Sequence, residues 1–241
     1  KDGKEYRMIL EEGKNTPAPW INVIANERFG CWISESGMGT SWAENSGENK
    51  LTTWNNDPLM DNQGEAIYLR DEDTGRIWSP TPLPSRAKST YYVRHGQGYS
   101  SFENANEGII STLTFSIAKD DPVKFALLRV QNISNRIRRI SATYYAEWVL
   151  GSDRDLMRPY IITEFDTSTH TLLARNPYNS DFQKQTAFLT ATRAPHGVTG
   201  SRVEFLGRNG SFQEPAVLKR MGLASTIEAG MDPCAAFQQL L

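Results

Sequence analysis

The chain has 241 residues, 39% of them hydrophobic and 10% aromatic, enough apolar mass to bury a core and too much for a disordered segment. Its formal net charge is −2 and its densest basic run is RIRR at residues 136–139, which argues against a nucleic-acid surface. Two cysteines, Cys31 and Cys234, make no disulfide framework, and no run approaches the roughly 18–20 apolar residues of a membrane-spanning helix.

Turn chemistry divides the first half into short apolar runs. Residues 4–10 (KEYRMIL) alternate partly and predict a first strand. Thr16-Pro17-Ala18-Pro19 then breaks the chain before a stretch, residues 19–82, that holds Trp20, Trp32, Trp42, Trp54 and Trp78. Within it, turn residues at 36–39, 45–49, 55–58 and 71–75 bound strand-like runs at 29–33 and 66–69. Asp73-Thr74-Gly75, between YLRD and RIWSP, predicts a hairpin, with Asp71, Glu72 and Asp73 in its solvated turn. Residues 91–99 predict one strand ending in HGQGY, whose glycines imply a bulge or a close backbone approach.

Residues 109–117 and 123–130 predict a hairpin with a longer loop, and the basic run 136–139 reads as a solvated hairpin end. Residues 139–150 form the longest β-prone run. Ile140, Ala142, Tyr144 and Ala146 fall on one face, and Ser141, Thr143, Tyr145 and Glu147 on the other. Residues 172–175, 187–192 and 201–206 predict further strands, 153–157 a short turn, and 207–222 a polar loop reaching away from the sheets. Asp232 before Pro233 predicts a helix start, with Asp232 as N-cap and the proline in the first turn. Many short strands with regular turns predict an all-β sandwich.

Conventional catalytic signatures are absent: there is no GxxxxGK loop and no HExxH. His95, His170 and His196 lie apart without metal-ligand spacing; His95 is expected to bond a backbone group, the other two to be exposed. The best binding signal is Trp42 beside Glu44-Asn45-Ser46-Gly47-Glu48-Asn49. An indole stacks on the apolar face of a sugar while amides and carboxylates bond its hydroxyls, so Trp42 and Asn45 are candidate binding residues. The plain alternative is a core tryptophan capped by a loop. Glu44 and Glu48 could also form the acid and base of a glycosidase. Glu147, between Ala146 and Trp148, reads as a buried, paired carboxylate.

A resemblance adds to this. It rests on Pro19-Trp20-Ile21-Asn22, residues 37–42, Glu44-Asn45-Ser46-Gly47-Glu48-Asn49, residues 54–58, residues 68–71 and Trp78-Ser79-Pro80. Arg94-His95-Gly96-Gln97-Gly98-Tyr99, Asp121-Pro122-Val123-Lys124 and residues 144–148 continue it in the same order. Together these resemble the amino-terminal β-sandwich domain of glycoside hydrolase family 94, inverting phosphorylases formerly called glycosyltransferase family 36. The phosphorylase-like region of cyclic β-1,2-glucan synthases is the variant they resemble most.

The resemblance implies an all-β, two-sheet antiparallel supersandwich of the galactose mutarotase type with few short helices. Residues 1–241 would be one domain of a longer protein, with a helical linker beginning near 232. An inverting hydrolase needs an acid and a base to activate water. An inverting phosphorylase attacks with inorganic phosphate, already an anion, so it needs only an acid. In the family that aspartate and the phosphate-binding residues belong to a following (α/α)6 barrel, which makes this domain non-catalytic, without metal or cofactor. Phosphate or a sugar phosphate would be a substrate of the parent enzyme. In family phosphorylases an amide followed by a basic residue reaches the acceptor-sugar subsite from this domain, and Gln183-Lys184 falls at that place, with Lys where family examples carry Arg. Read without the resemblance, the pair is an ordinary polar strand start. Implied partners are a β-glucan oligosaccharide, the barrel and a second copy of the parent. The implied location is the cytoplasmic face of a bacterial inner membrane, the piece itself being soluble.

Three readings follow: an accessory domain of a carbohydrate-active transferase, a stand-alone carbohydrate-binding module, or a glycosidase using Glu44 and Glu48. A bare apolar face would favour the first, an exposed aromatic stripe the second, and a carboxylate pair facing one cleft the third.

Overall fold

The structure, a computed structural model, describes residues 3–54, 61, 64–220, 222–227 and 229–241. Its strands in chain order are β1 (Glu5–Leu10), β2 (Ile21–Ala25), β3 (Phe29–Ser34), β4 (Gly39–Ala43), β5 (Lys50–Thr52), β6 (Glu65–Asp71), β7 (Ile77–Trp78), β8 (Tyr91–Gly96) and β9 (Tyr99–Asn106). There follow β10 (Ile109–Ile117), β11 (Lys124–Asn132), β12 (Ile140–Ala146), β13 (Trp148–Gly151), β14 (Ile162–Asp166), β15 (Thr171–Arg175), β16 (Ala187–Leu189), β17 (Gly197–Ser201) and β18 (Pro233–Leu240). Two short helices, α1 (Arg154–Met157) and α2 (Arg202–Leu206), and single 3-10 turns at Arg158–Tyr160 and Ala216–Lys219 complete the described elements. The fold is all-β, as the turn-punctuated pattern predicts.

Every ladder is antiparallel. One sheet runs β1-β8-β9-β10-β11, a second β17-β18-β12-β6-β7, a third β13-β5-β4-β3-β2, and a small fourth β14-β15-β16. The first sheet packs Val93, Phe102 and Leu113 against Cys31 and Ile33 of the third and Ile67, Leu69 and Ile140 of the second, making the main core of the sandwich. The second sheet is covered on its other side too, where α2 and the Ala216–Lys219 turn lay Phe205, Leu206, Val217 and Leu218 on Tyr68, Tyr145 and Ala236. A third cluster joins Trp148, Leu150 and Phe237 to Leu172 and Ala174 of the small sheet. Burial on both faces explains why β6 is buried at all seven positions, and why β12 reads as one long β-prone run with the two faces assigned above.

Several expectations are corrected. Residues 202–206 form helix α2, not a strand, and Ser201, the last residue of β17, caps it: its Oγ accepts from Glu204 N at 3.2 Å, the N-terminal half of a Ser-x-x-Glu capping box. The helix expected from Asp232 is the strand β18, because residues 233–240 pair with both β12 and β17 and bury Cys234, Ala235 and Ala236 completely. Asp232 caps nothing; its carboxylate faces Arg154 at 2.5 Å and Arg202 at 3.5 Å. Residues 91–99 are not one bulged strand. They are the whole of β8 and the first residue of β9, joined by a two-residue turn at Gln97 and Gly98, with Gly98 at φ +80°. The close approach is real at Gly96, where an added Cβ would lie 2.4 Å from the Tyr99 ring.

The segment 207–222 does not reach away, since Phe212 and Leu218 pack back onto the second sheet. In the Asp71–Gly75 turn, Asp71 is 0% exposed and bonds Arg138, itself nearly buried, at 2.5 Å, while Glu72 pairs with buried Arg70. Arg136 and Arg139 remain at the surface, as expected of a hairpin end. The strand expected over 187–192 stops at Leu189. The turn expected at 55–58 lies outside the described residues.

Candidate functional site

A cleft of about 590 Å³ opens between β11 and the segment around β16. Its buried floor comes from β4, β5, β6, β12 and β13. Most of the lining is apolar, including Ile67, Leu128, Trp148, Leu189 and Phe237, and Leu241 lies on it.

One polar cluster lies in that floor. Glu65 opens β6 and Lys124 opens β11, and their side chains meet at 2.5 Å, both buried. Glu65 Oε2 also accepts from Tyr144 Oη at 2.5 Å, and Oε1 accepts from Ser41 Oγ at 2.6 Å and Thr52 Oγ1 at 3.0 Å. Burial pushes the Glu65 carboxyl up, but Lys124 and the three hydroxyls outweigh it and hold the group below its usual range. Burial likewise pulls Lys124 down, and the Glu65 carboxylate more than restores it. A carboxylate with four donors is satisfied, so this cluster ties three sheets together. A Glu and a Lys each opening an apolar β run is the sequence signal that could have revealed it.

Two polar loops meet at the cleft mouth. The first runs from Glu44 to Asn49. Glu44 takes the left-handed conformation, φ 62°, and ion-pairs with Arg28 at 3.4 Å. Asn45 is exposed, and its Oδ1 accepts from Gly47 N and Glu48 N, so its side chain closes the turn. Asn49 is buried and reaches the second loop, donating from Nδ2 to Gln185 Oε1 at 2.9 Å. The second loop, residues 176–186, is a succession of tight turns: Phe182 N bonds Asn179 O and Gln185 N bonds Phe182 O. Asn179 Nδ2 donates to Glu48 O at 3.4 Å and to Leu150 O at 3.2 Å, and Asn176 Nδ2 donates to Leu150 O at 3.0 Å. Leu150 is itself held at φ 45°, a conformation costly for a branched apolar residue.

The fold thus brings together the two stretches that the sequence singles out separately. Gln183 and Lys184 are exposed on the second loop, with Gln183 Nε2 donating to Ser180 O at 3.0 Å. Trp42 is half-buried, its indole lying across Gly30 so closely that a Cβ there would meet Cζ2 at 2.2 Å. Glu44 and Glu48 are exposed, Glu44 beside the cleft. Asn49 and Asn179 lie in the stretches that the sequence singles out and Asn176 lies outside them; sequence reasoning assigned none of the three the role seen here, joining the loops to each other and to β13. His95 bonds Ser100 Oγ through Nδ1 and sits 3.3 Å from Trp20 O through Nε2, the backbone contact expected of it.

Glu147 interrupts β12 and β13 as a buried paired carboxylate, its Oε1 at 2.8 Å from Arg154 Nε and 2.9 Å from Arg202 Nε. Burial dominates there and pushes the carboxyl up despite both guanidinium groups. Among the described residues no group of three or more His, Cys, Asp or Glu could hold a metal ion, and no helix is long and apolar enough to cross a membrane.

Comparison with known proteins gives one family throughout. The model of the family described as glycosyl hydrolase 94, supersandwich domain, matches residues 4–241. The cyclic beta-(1,2)-glucan synthase NdvB of Rhizobium meliloti (strain 1021) is 39% identical over 98% of this chain, which covers 8% of that protein. The N,N'-diacetylchitobiose phosphorylase of Vibrio furnissii is 27% identical over 99% of this chain, covering 30% of that protein. The solabiose phosphorylase of Paenibacillus borealis is 25% identical over 96%, covering 31%. The chain therefore spans less than a third of the length of each of these relatives. Matched from residue 4 to residue 241 by the family model, and 39% identical to a relative across nearly its whole length, the chain belongs to the glycosyl hydrolase 94 family and carries its supersandwich domain.

Proposed function

We propose that this β-sandwich is the non-catalytic domain of a glycosyltransferase or inverting phosphorylase acting on β-glucans, with cyclic β-1,2-glucan synthesis as the parent's reaction. In this reading the domain packs on an (α/α)6 catalytic barrel of the same parent chain and forms one wall of its acceptor site. The barrel supplies the acid and the phosphate subsite; the β domain supplies groups that hold the acceptor sugar.

One arrangement carries the reading: two polar loops, tied to each other by Asn49–Gln185 and Asn179–Glu48, stand at the mouth of a large, chiefly apolar cleft. An apolar trough suits further polypeptide, and a rigid amide- and charge-bearing rim suits sugar hydroxyls. The exposed Glu44 and Glu48 suit a glycosidase less well, because a general acid needs a buried setting that keeps its proton near neutral pH.

The test is Gln183→Ala with Lys184→Ala in the full-length enzyme. Two lost hydrogen bonds to sugar hydroxyls, each worth about 0.5–1.5 kcal/mol and more when charge-assisted, raise the acceptor KM about tenfold or more. The phosphate KM stays within error. A raised phosphate KM with an unchanged acceptor KM defeats the placement, as does a lower melting temperature with neither constant moved.

A further inference from the structure

We propose that Tyr160 and Tyr178 form a stacking platform for a neutral pyranose unit of the glycan, beside the Gln183–Lys184 loop; this deepens the acceptor-wall reading and rests on it. The two rings are parallel within 10°, with centroids 4.0 Å apart, yet they remain 43% and 61% exposed. Each ring covers one face of the other. Tyr178 is the more exposed of the two, so it is the ring that would offer its second face to a sugar.

The platform is mounted rigidly. Asn176 is 4% exposed; its Oδ1 accepts from Tyr178 N at 3.0 Å while its Nδ2 holds Leu150 O at 3.0 Å and contacts Met157 Sδ at 3.4 Å. The carbonyl that receives this bond belongs to the residue at φ 45°, and it also receives Asn179. Gly151 next to it has no room for a side chain, since a Cβ would lie 2.7 Å from Met157 Cγ. Tyr178 is therefore fixed to β13, and Tyr160 closes the 3-10 turn that follows α1, the helix that packs on β13. Strain held by buried hydrogen bonds beneath an exposed aromatic pair is the arrangement of a prepared surface.

Chemistry selects the ligand. The face of an aromatic ring is electron-rich, and the C–H face of a pyranose is weakly positive and apolar, so the two stack. Five and six residues further along the same compact loop, Gln183 and Lys184 supply a hydrogen-bonding amide and an ammonium for hydroxyls. Asp181 balances Lys184 in charge, so the loop suits an uncharged sugar and not a phosphate.

The test uses the full-length enzyme and β-linked glucose oligosaccharides of two to five units, read by acceptor KM, by saturation-transfer NMR on the sugar C–H protons and by melting temperature. Tyr178→Ala is expected to weaken binding about three- to tenfold, the effect of losing one aromatic contact. Tyr178→Phe keeps the ring and restores binding and C–H saturation. Tyr6→Ala, in the distant exposed pair Tyr6–Trp20, leaves sugar binding unchanged. A lower melting temperature in Tyr178→Ala with unaltered KM and saturation makes the pair a structural staple and overturns the platform. If Gln183→Ala with Lys184→Ala weakens binding but Tyr178→Ala does not, the platform alone falls. If both are silent, the acceptor-wall reading falls with it.

Discussion

Asp61 shows how one half-buried carboxyl sets a pH dependence. Its Oδ2 accepts from Ser34 Oγ at 2.5 Å, but burial dominates and pushes the group up from 3.8 to about 6, with Glu35 adding in the same direction. A raised folded pKa favours the protonated native state. Its stabilisation is complete below the unfolded value near 4 and is lost as pH rises through about 6. The full span is about 3 kcal/mol, at 1.36 kcal/mol per unit. Asp61→Asn should abolish that slope and stabilise the protein at pH 7 by about 1–3 kcal/mol, as measured by urea unfolding from pH 4 to pH 7.5. An unchanged slope in the variant would remove Asp61 as its source. Glu65 and Asp71 act with opposite sign. For both, burial raises the pKa but cationic and hydrogen-bond partners lower it further, so their stabilisation is lost only as pH falls below about 4.

At the scale of elements, two hairpins were legible, while the β8–β9 hairpin and two segments near the carboxyl end were not. β6–β7 and β10–β11 follow from turn residues flanked by β-prone runs, and both pair as expected. Asp232-Pro233-Cys234-Ala235-Ala236 has the composition of a helix start, yet forms a central strand. Small side chains fit there because β18 is packed on both faces, with Cys234 and Ala236 toward Tyr145 and Phe205, and Ala235 and Phe237 toward Trp148. Conversely, Ser201 and Glu204 carry a readable capping signal, but the β-branched and aromatic residues between and after them hid it. The central position of β18 makes a sharp prediction. Deleting residues 233–241 strips β12 and β17 of their shared partner and should abolish cooperative thermal unfolding by circular dichroism. A retained two-state transition would show that β18 is dispensable.

For the whole molecule, the consequential feature is an unfinished surface. β11 ends the order of its sheet, and it exposes Phe125 at 52% and Leu127 at 70% beside the apolar cleft. An open edge with apolar side chains templates association. The chain expressed alone should therefore self-associate in a concentration-dependent way by sedimentation velocity, and Phe125→Lys with Leu127→Lys should return it to monomer. Association that persists in the double variant would locate the contact elsewhere.

Local chemistry determined much of this protein from sequence alone. Glycine, asparagine and proline act on the dihedrals of a few residues, so most turns and the all-β class were readable, and the ordered tryptophan, asparagine and glycine motifs resembled one family. Only the tertiary structure decided which polar groups are buried and which loops meet. Asn49 and Gln185 are 136 positions apart, and Glu65 and Lys124 are 59 apart. Asp71 closes its turn through Oδ1, as local chemistry dictates, but the partner that makes it also a buried ion pair is Arg138, 67 positions away. Neither propensity nor spacing reports such partners, because burial energy depends on what packs across the sandwich and not on what adjoins in the chain.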